Sequence, residues 1–213
     1  MGTTTALTLS PGEQSHIKVM QAIAHDLLDL PMVLKGGTAL LLCYGLDRFS
    51  EDLDFDAPKR FNISNRVEKV LSRMASDFEI KTVKDTETVH RLKIHYRTET
   101  IDRLLKIETS FRQPPNANDI VEIDGIKTYR IGALISQKMG ALVGRTKARD
   151  LYDVAFLTRN YRTEFSAEAS AKLAELMADM SAMESRFSLA FEDDTILRPK
   201  LLPELLLQLV DNL

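Results

Sequence analysis

The spacing of apolar residues changes period along this chain, and each change marks a predicted element. Ile17, Met20, Ile23, Ala24, Leu27 and Leu28 recur at helical intervals, predicting an amphipathic helix over residues 12–29. A short apolar run, Pro31-Met32-Val33-Leu34, meets Gly36-Gly37, and the apolar helix formers of residues 38–44 follow. A further helix is expected near 63–76, then strands near 78–84, 89–98 and 103–111. In the second of these strands Leu92, Ile94 and Tyr96 alternate with Arg91, Lys93 and His95. In the third, Leu105, Ile107, Thr109 and Phe111 oppose Lys106, Glu108 and Ser110. Pro114-Pro115-Asn116 breaks the chain, and residues 120–131 read as a hairpin over Asp124-Gly125. From Gly132 onward the pattern is almost wholly helical, with 131–143, 167–180 and 203–210 as helices. The order predicts an α+β fold, a mixed sheet with helices packed on one side and a mostly helical C-terminal part.

Two short stretches inside this pattern carry chemistry. Gly36-Gly37-Thr38 opens a helix, so free backbone N–H groups and the helix dipole would favour a phosphate there, with glycines allowing close approach. In Glu51-Asp52-Leu53-Asp54-Phe55-Asp56 a strand sends Asp52, Asp54 and Asp56 to one face and Leu53 and Phe55 to the other. Carboxylates crowded on one face repel unless a cation lies between them, and hard oxygen ligands suit Mg²⁺ or Mn²⁺. A phosphate turn and a cation pair so close together point to chemistry on a nucleoside triphosphate.

The run GGTAL…RFSEDLDF (Gly36–Leu40, then Arg48–Phe55) resembles the opening motif of the DNA polymerase β-type nucleotidyltransferase superfamily. More narrowly, it is similar to the AbiEii/AbiGii toxin family of abortive-infection and type IV toxin–antitoxin systems. A second block, Lys138, Arg145 and Arg149-Asp150-Leu151-Tyr152-Asp153, resembles that family's Lys…Arg…Arg-Asp-Leu-Tyr-Asp segment. The two motifs together span roughly residues 30 to 158. The resemblance implies a growth-arresting, metal-dependent transfer of a nucleotide from an NTP to an acceptor, tRNA or another RNA. It implies Asp52 and Asp54 as Mg²⁺ or Mn²⁺ ligands, Gly36, Gly37, Thr38 and Ser50 as nucleotide-binding residues, Lys138 as a phosphate ligand, and Asp150 as a required acid. Glu108 is the candidate third carboxylate, as metal ligand and general base. Asp153 is read as structural. The division expected is a nucleotidyltransferase core over 1–131 and a helical part over 132–213 that completes the cleft, where Lys138 and Asp150 would meet Asp52 and Asp54. A cognate antitoxin is implied, without an assumed stable complex. An NTP-dependent phosphotransferase acting on protein, and an inactive nucleotide- or metal-binding module, are the competing readings.

Composition changes this picture little. The chain has 213 residues, 44% apolar and 28% charged, with a net charge of −3, ordinary values for a globular protein. No apolar run is long enough to cross a bilayer. The first residues lack a signal-peptide pattern, and Ala6 departs from a myristoylation pattern. The lone Cys43 excludes an intrachain disulfide and fits a reducing compartment, so a cytoplasmic location is expected. The acids cluster at 51–56 and 192–194, while Lys138, Arg145, Lys147 and Arg149 form a basic stretch. That distribution suits an RNA acceptor without requiring one.

Overall fold

The computed structural model describes residues 9–197 and 201–212. The myristoylation reading, and the signal-peptide reading as far as residue 8, concern residues outside that range. The chain divides into two compact units, Met1–Arg130 and Ile131–Leu213.

The first unit opens with α1 (Pro11–Asp26), started by a reciprocal cap. Glu13 donates its backbone N–H to the Ser10 hydroxyl, and the Glu13 carboxylate accepts the Ser10 N–H. The sequence pattern carried this helix to residue 29, but it ends at Asp26. The chain has to turn toward β1 there, and Leu30 precedes a proline, which disfavours helix. The Lys127 ammonium donates to the Leu28 and Leu30 carbonyls at 2.8 Å each, satisfying the turn.

After α1 come β1 (Val33–Lys35), α2 (Gly36–Tyr44), β2 (Leu53–Asp56), α3 (Ser64–Met74), β3 (Asp77–Asp85), β4 (Val89–Arg97), β5 (Asp102–Ser110), β6 (Ile120–Ile123) and β7 (Ile126–Tyr129). All seven strands form one mixed sheet in the order β3-β4-β5-β2-β1-β7-β6. β2 runs antiparallel to β1 and parallel to β5. The β6–β7 hairpin turns over Asp124 and Gly125, both at positive φ (47° and 73°), as a type I′ turn requires.

The alternation read from the sequence sorts the sheet's two sides. Leu92, Ile94, Tyr96, Leu105 and Ile107 are buried, whereas Lys93, His95 and Arg97 are exposed. Helix α1 covers the buried side, where His16 stacks on Tyr96 at a centroid distance of 5.8 Å. Helix α3 packs beside α1 and buries Val67, Val70 and Leu71.

The second unit is helical: α4 (Ile131–Gly144), α5 (Ala148–Tyr161), α6 (Ala167–Met177), α7 (Met180–Glu192) and α8 (Leu201–Asp211). The helix expected over 167–180 ends at Met177, and a further helix starts at Met180. Asp179 stops the first and caps the second, its carboxylate accepting from the Ala182 N–H at 2.9 Å. This unit's core is apolar along α5 and α8, from Leu151, Val154 and Leu157 to Leu205, Leu206 and Leu209. Among the described residues no helix is long and apolar enough to cross a membrane.

Candidate active site

Strand β1 delivers the chain into the glycine turn. Lys35 is extended, Gly36 takes φ +74°, and α2 begins without a side-chain cap. Its first N–H groups therefore face outward with no intrahelical acceptor. A Cβ on Gly36 would lie 3.7 Å from Asp54 Oδ2, so the turn's bare backbone abuts the acid strand. A Cβ on Gly37 would come within 2.6 Å of Arg48 Nη2 and 3.1 Å of Ser50 Oγ. The side chain missing at Gly37 is thus the space that Arg48 occupies. Arg48 is buried, with Nη1 donating to the Phe49 carbonyl at 2.9 Å.

Ser50 and Thr38 join the turn to the acids. Their hydroxyls lie 2.8 Å apart, and Thr38 Oγ1 also donates to the Asp52 carbonyl. The Thr38 hydroxyl is committed to this internal contact, which leaves its backbone N–H as the group available for a phosphate. From the other side, buried His16 donates from Nε2 to the Glu51 carbonyl at 2.8 Å and accepts the Tyr96 hydroxyl at Nδ1 at 2.6 Å. Burial holds the His16 imidazole below its ordinary pKa, which favours the neutral ring this bonding pattern needs.

Strand β2 sorts its residues as its alternation predicts, with Leu53 and Phe55 buried and Asp54 and Asp56 half-buried. Asp56 is bound by the Lys35 ammonium at 2.5 Å and the Tyr129 hydroxyl at 2.9 Å, a lock between β1, β2 and β7. Asp52 and Asp54 face β5, whose register sets Asp54 opposite Glu108. Glu108 is held by Arg91 across β4, at 2.7 Å from Nε and 2.5 Å from Nη2. Sequence reasoning missed the residue at the middle of this group, Lys106. Its ammonium lies 2.7 Å from Asp52 Oδ2, and its backbone N–H points at Asp52 Oδ1 at 3.3 Å. Its only sequence signal is its place two residues before Glu108 on the strand's polar face.

The electrostatics follow from these contacts. Burial pushes the Asp54 carboxyl up, Lys106 pulls it back, and the charges of Asp52 and Glu108 raise it further. Burial works against the Lys106 charge, but the hydrogen bond it donates to Asp52 and the fields of Asp52, Asp54 and Glu108 outweigh it, holding Lys106 above the ordinary lysine range. The acids therefore converge on a place that favours a cation, and an ammonium sits there. Mg²⁺ usually binds one or two protein carboxylates and completes its shell with substrate phosphates and water. Asp52 and Asp54, beside the glycine turn, fit that donor set. Among the described residues no three His, Cys, Asp or Glu side chains form a ready-made metal cage.

The second motif lies in the second unit, where α4 and α5 bring its residues together. Lys138 is buried, with its ammonium 2.6 Å from Asp153 and 3.4 Å from Asp150. Arg145 forms a two-pronged pair with Asp150 at 2.6 and 3.0 Å. Arg149 pairs with Asp194 at 2.9 Å. Asp150 and Asp153 are themselves buried, so this is an internal network of paired charges.

The profile of the nucleotidyl transferase AbiEii toxin of type IV toxin–antitoxin systems matches residues 18–211. The fold is similar to that of JHP933 from Helicobacter pylori, with TM-score 0.87 and 36% identity, covering 96% of this chain and 91% of that one. A second H. pylori structure is similar at TM-score 0.86 and 36% identity, over 96% of this chain and 94% of the other. The nucleotidyltransferase toxin MenT4 of Mycobacterium tuberculosis H37Rv shares the fold at TM-score 0.54 and 18% identity, over 95% of this chain and 84% of that one. No curated protein sequence matches.

Proposed function

Because the chain belongs to the AbiEii family of nucleotidyl transferase toxins, we propose that it transfers a nucleoside monophosphate from an NTP to an RNA acceptor, tRNA foremost, and thereby arrests growth. The observation that carries this reading is the contact between the glycine turn and the acid strand, where the empty Cβ position of Gly36 faces Asp54 Oδ2 at 3.7 Å. A triphosphate seated on the turn would have its reacting phosphate beside the carboxylates.

In this reading the N–H groups of Gly36, Gly37 and Thr38 bind the triphosphate tail, aided by the positive end of α2. Ser50 and Thr38 hold the turn and Asp52 in one rigid piece, as their hydroxyl pair and the bond to the Asp52 carbonyl support. Asp52 and Asp54 would hold Mg²⁺ or Mn²⁺, which supplies charge neutralisation for the transferred phosphoryl group and its leaving pyrophosphate. Glu108, oriented by Arg91, is the candidate base for the acceptor hydroxyl. The acceptor oxygen forms the new bond to the α-phosphorus as the bond to the bridging oxygen breaks, and pyrophosphate carries away the electron pair. A cognate antitoxin of this family would restrain the activity.

The test is a transfer assay with purified protein, total cellular RNA, Mg²⁺ and each of the four α-labelled NTPs, beside an Asp52→Asn control. A labelled RNA band present with the wild type and absent with the control is expected. RNA left unlabelled with every nucleotide overturns the reading.

A further inference from the structure

The polar side of the sheet carries an ordered charge pattern. Cross-strand pairing sets Lys81 directly opposite Lys93, and Lys93 directly opposite Lys106. The next row sets Lys84 opposite Arg91, and Arg91 opposite Glu108. These rows run from the outer edge at β3 across β4 to β5, and there they end on the acids. Lys106 touches Asp52, and Glu108 stands opposite Asp54.

The rows further from the acids are different. Asp77, Arg97 and Asp102 form one, with Arg97 bonded to Asp102 at 2.8 Å; Glu79, His95 and Leu104 form the other. Acid and base alternate there, as a solvated sheet face ordinarily arranges them. Like charges directly opposite each other destabilise a sheet, and this row sets Lys93 between two further lysines. Glu79 answers Lys81 at 2.9 Å, with both side chains more than half exposed. Among the described residues neither Lys84 nor Lys93 makes an ion pair, and both are exposed.

We propose that the exposed face of β3–β5, along the Lys81–Lys93 and Lys84–Arg91 rows, is the docking surface for the phosphate backbone of the RNA acceptor, and leads its end to the acid pair. The proposal rests on the transferase reading above and names where its acceptor lies. Two strand spacings make the lysine row about 10 Å long, the axial rise of roughly three nucleotides of one strand. The chemistry recognised is the repeating phosphate charge rather than a base sequence, because the row offers ammonium groups and no aromatic stacking partner.

The experiment uses the full chain and fluorescein-labelled bulk tRNA, with anisotropy read across a salt series, beside the transfer assay. Lys81→Gln combined with Lys93→Gln is compared with the wild type and with Arg97→Gln from a distant row. Each lost phosphate contact lowers the slope of log affinity against log salt by about 0.7, so the double variant should lose about 1.4. Its KM for RNA should rise while kcat and the KM for the NTP stay unchanged, and Arg97→Gln should behave as wild type. If the double variant keeps the wild-type salt slope and KM while RNA is still labelled, the surface is refuted and the transferase reading stands. An equal loss in Arg97→Gln also refutes it, because general charge then accounts for binding. If the wild type neither binds nor labels RNA, both readings fall.

Discussion

Removing the Lys138 ammonium should unfold before it inactivates. Lys138→Met takes a cation from between two buried carboxylates, 2.6 Å from Asp153 and 3.4 Å from Asp150. Asp150 keeps Arg145 at 2.6 Å, so the loss concentrates on Asp153, which is 0% exposed. Breaking a buried pair from one side costs about 3 to 5 kcal/mol, because the remaining charge stays desolvated. For a chain of this length each kcal/mol moves the melting midpoint by roughly 2 to 4 °C, so a fall of roughly 6 to 20 °C is expected by circular dichroism. Replacing both members, Lys138→Met with Asp153→Leu, should restore most of the stability, since an apolar pair of similar volume can stand in for a buried ion pair. If Lys138→Met melts with the wild type, the network does not hold the second unit as argued. The double variant also separates two roles. Stable but inactive protein makes Lys138 a participant in transfer, as the family resemblance implies, whereas full activity makes it a strut.

Three further outcomes are expected. His16 is held below its ordinary pKa of 6.5, so the unfolded chain binds more protons than the fold once pH drops under that value. Stability should fall with acidification from about pH 6.5 until the folded-state pKa is passed. Urea titrations of His16→Gln should lack this component, and an unchanged pH slope would contradict the assignment. Burial raises the Cys43 thiol to about 12, so the folded protein should react with iodoacetamide far more slowly than the urea-unfolded chain. Equal rates, read by mass spectrometry, would show the thiol to be accessible. Lys106→Met should bind Mn²⁺ more tightly in the absence of nucleotide, as read by electron paramagnetic resonance, because a metal must otherwise displace the ammonium from Asp52. Weaker binding would mean that Lys106 organises the acids for the metal rather than competing with it.

What could be read from the sequence was whatever local periodicity encodes. The alternation of Leu53 and Phe55 with Asp52 and Asp54 is a property of four consecutive residues, and so is the Asp124-Gly125 turn. Lys106 and Arg91 could be placed on the polar faces of their strands but given no role, because their partners are set by strand register. Asp52 meets Lys106 only through the parallel β2–β5 pairing, and no local pattern states that alignment. Asp150 and Asp153 are three residues apart and so share a helix face, but the burial of Lys138 against Asp153 depends on how α4 and α5 pack. Asp179 was passed over because an acid inside an apolar repeat looks like a surface position until its cap is seen. The role of His16 lies in two contacts from 35 and 80 residues away.

The parallel pairing of β2 with β5 also imposes an order in time. Asp54 waits for Glu108 to emerge before the acid strand has its neighbour on that side, and β1 waits further, for Thr128, to which Leu34 pairs. At bacterial-to-eukaryotic synthesis rates the interval between the codons for Asp54 and Glu108 is about 3 to 11 s, long compared with the formation of a helix or hairpin. Through that interval the glycine turn and the acids have at most the antiparallel β1–β2 pair, without the β5 neighbour that carries Glu108 and Lys106. On the proposed transferase reading, a chain truncated before β5 would carry both acids of the motif but lack Glu108 and Lys106, and would be inactive.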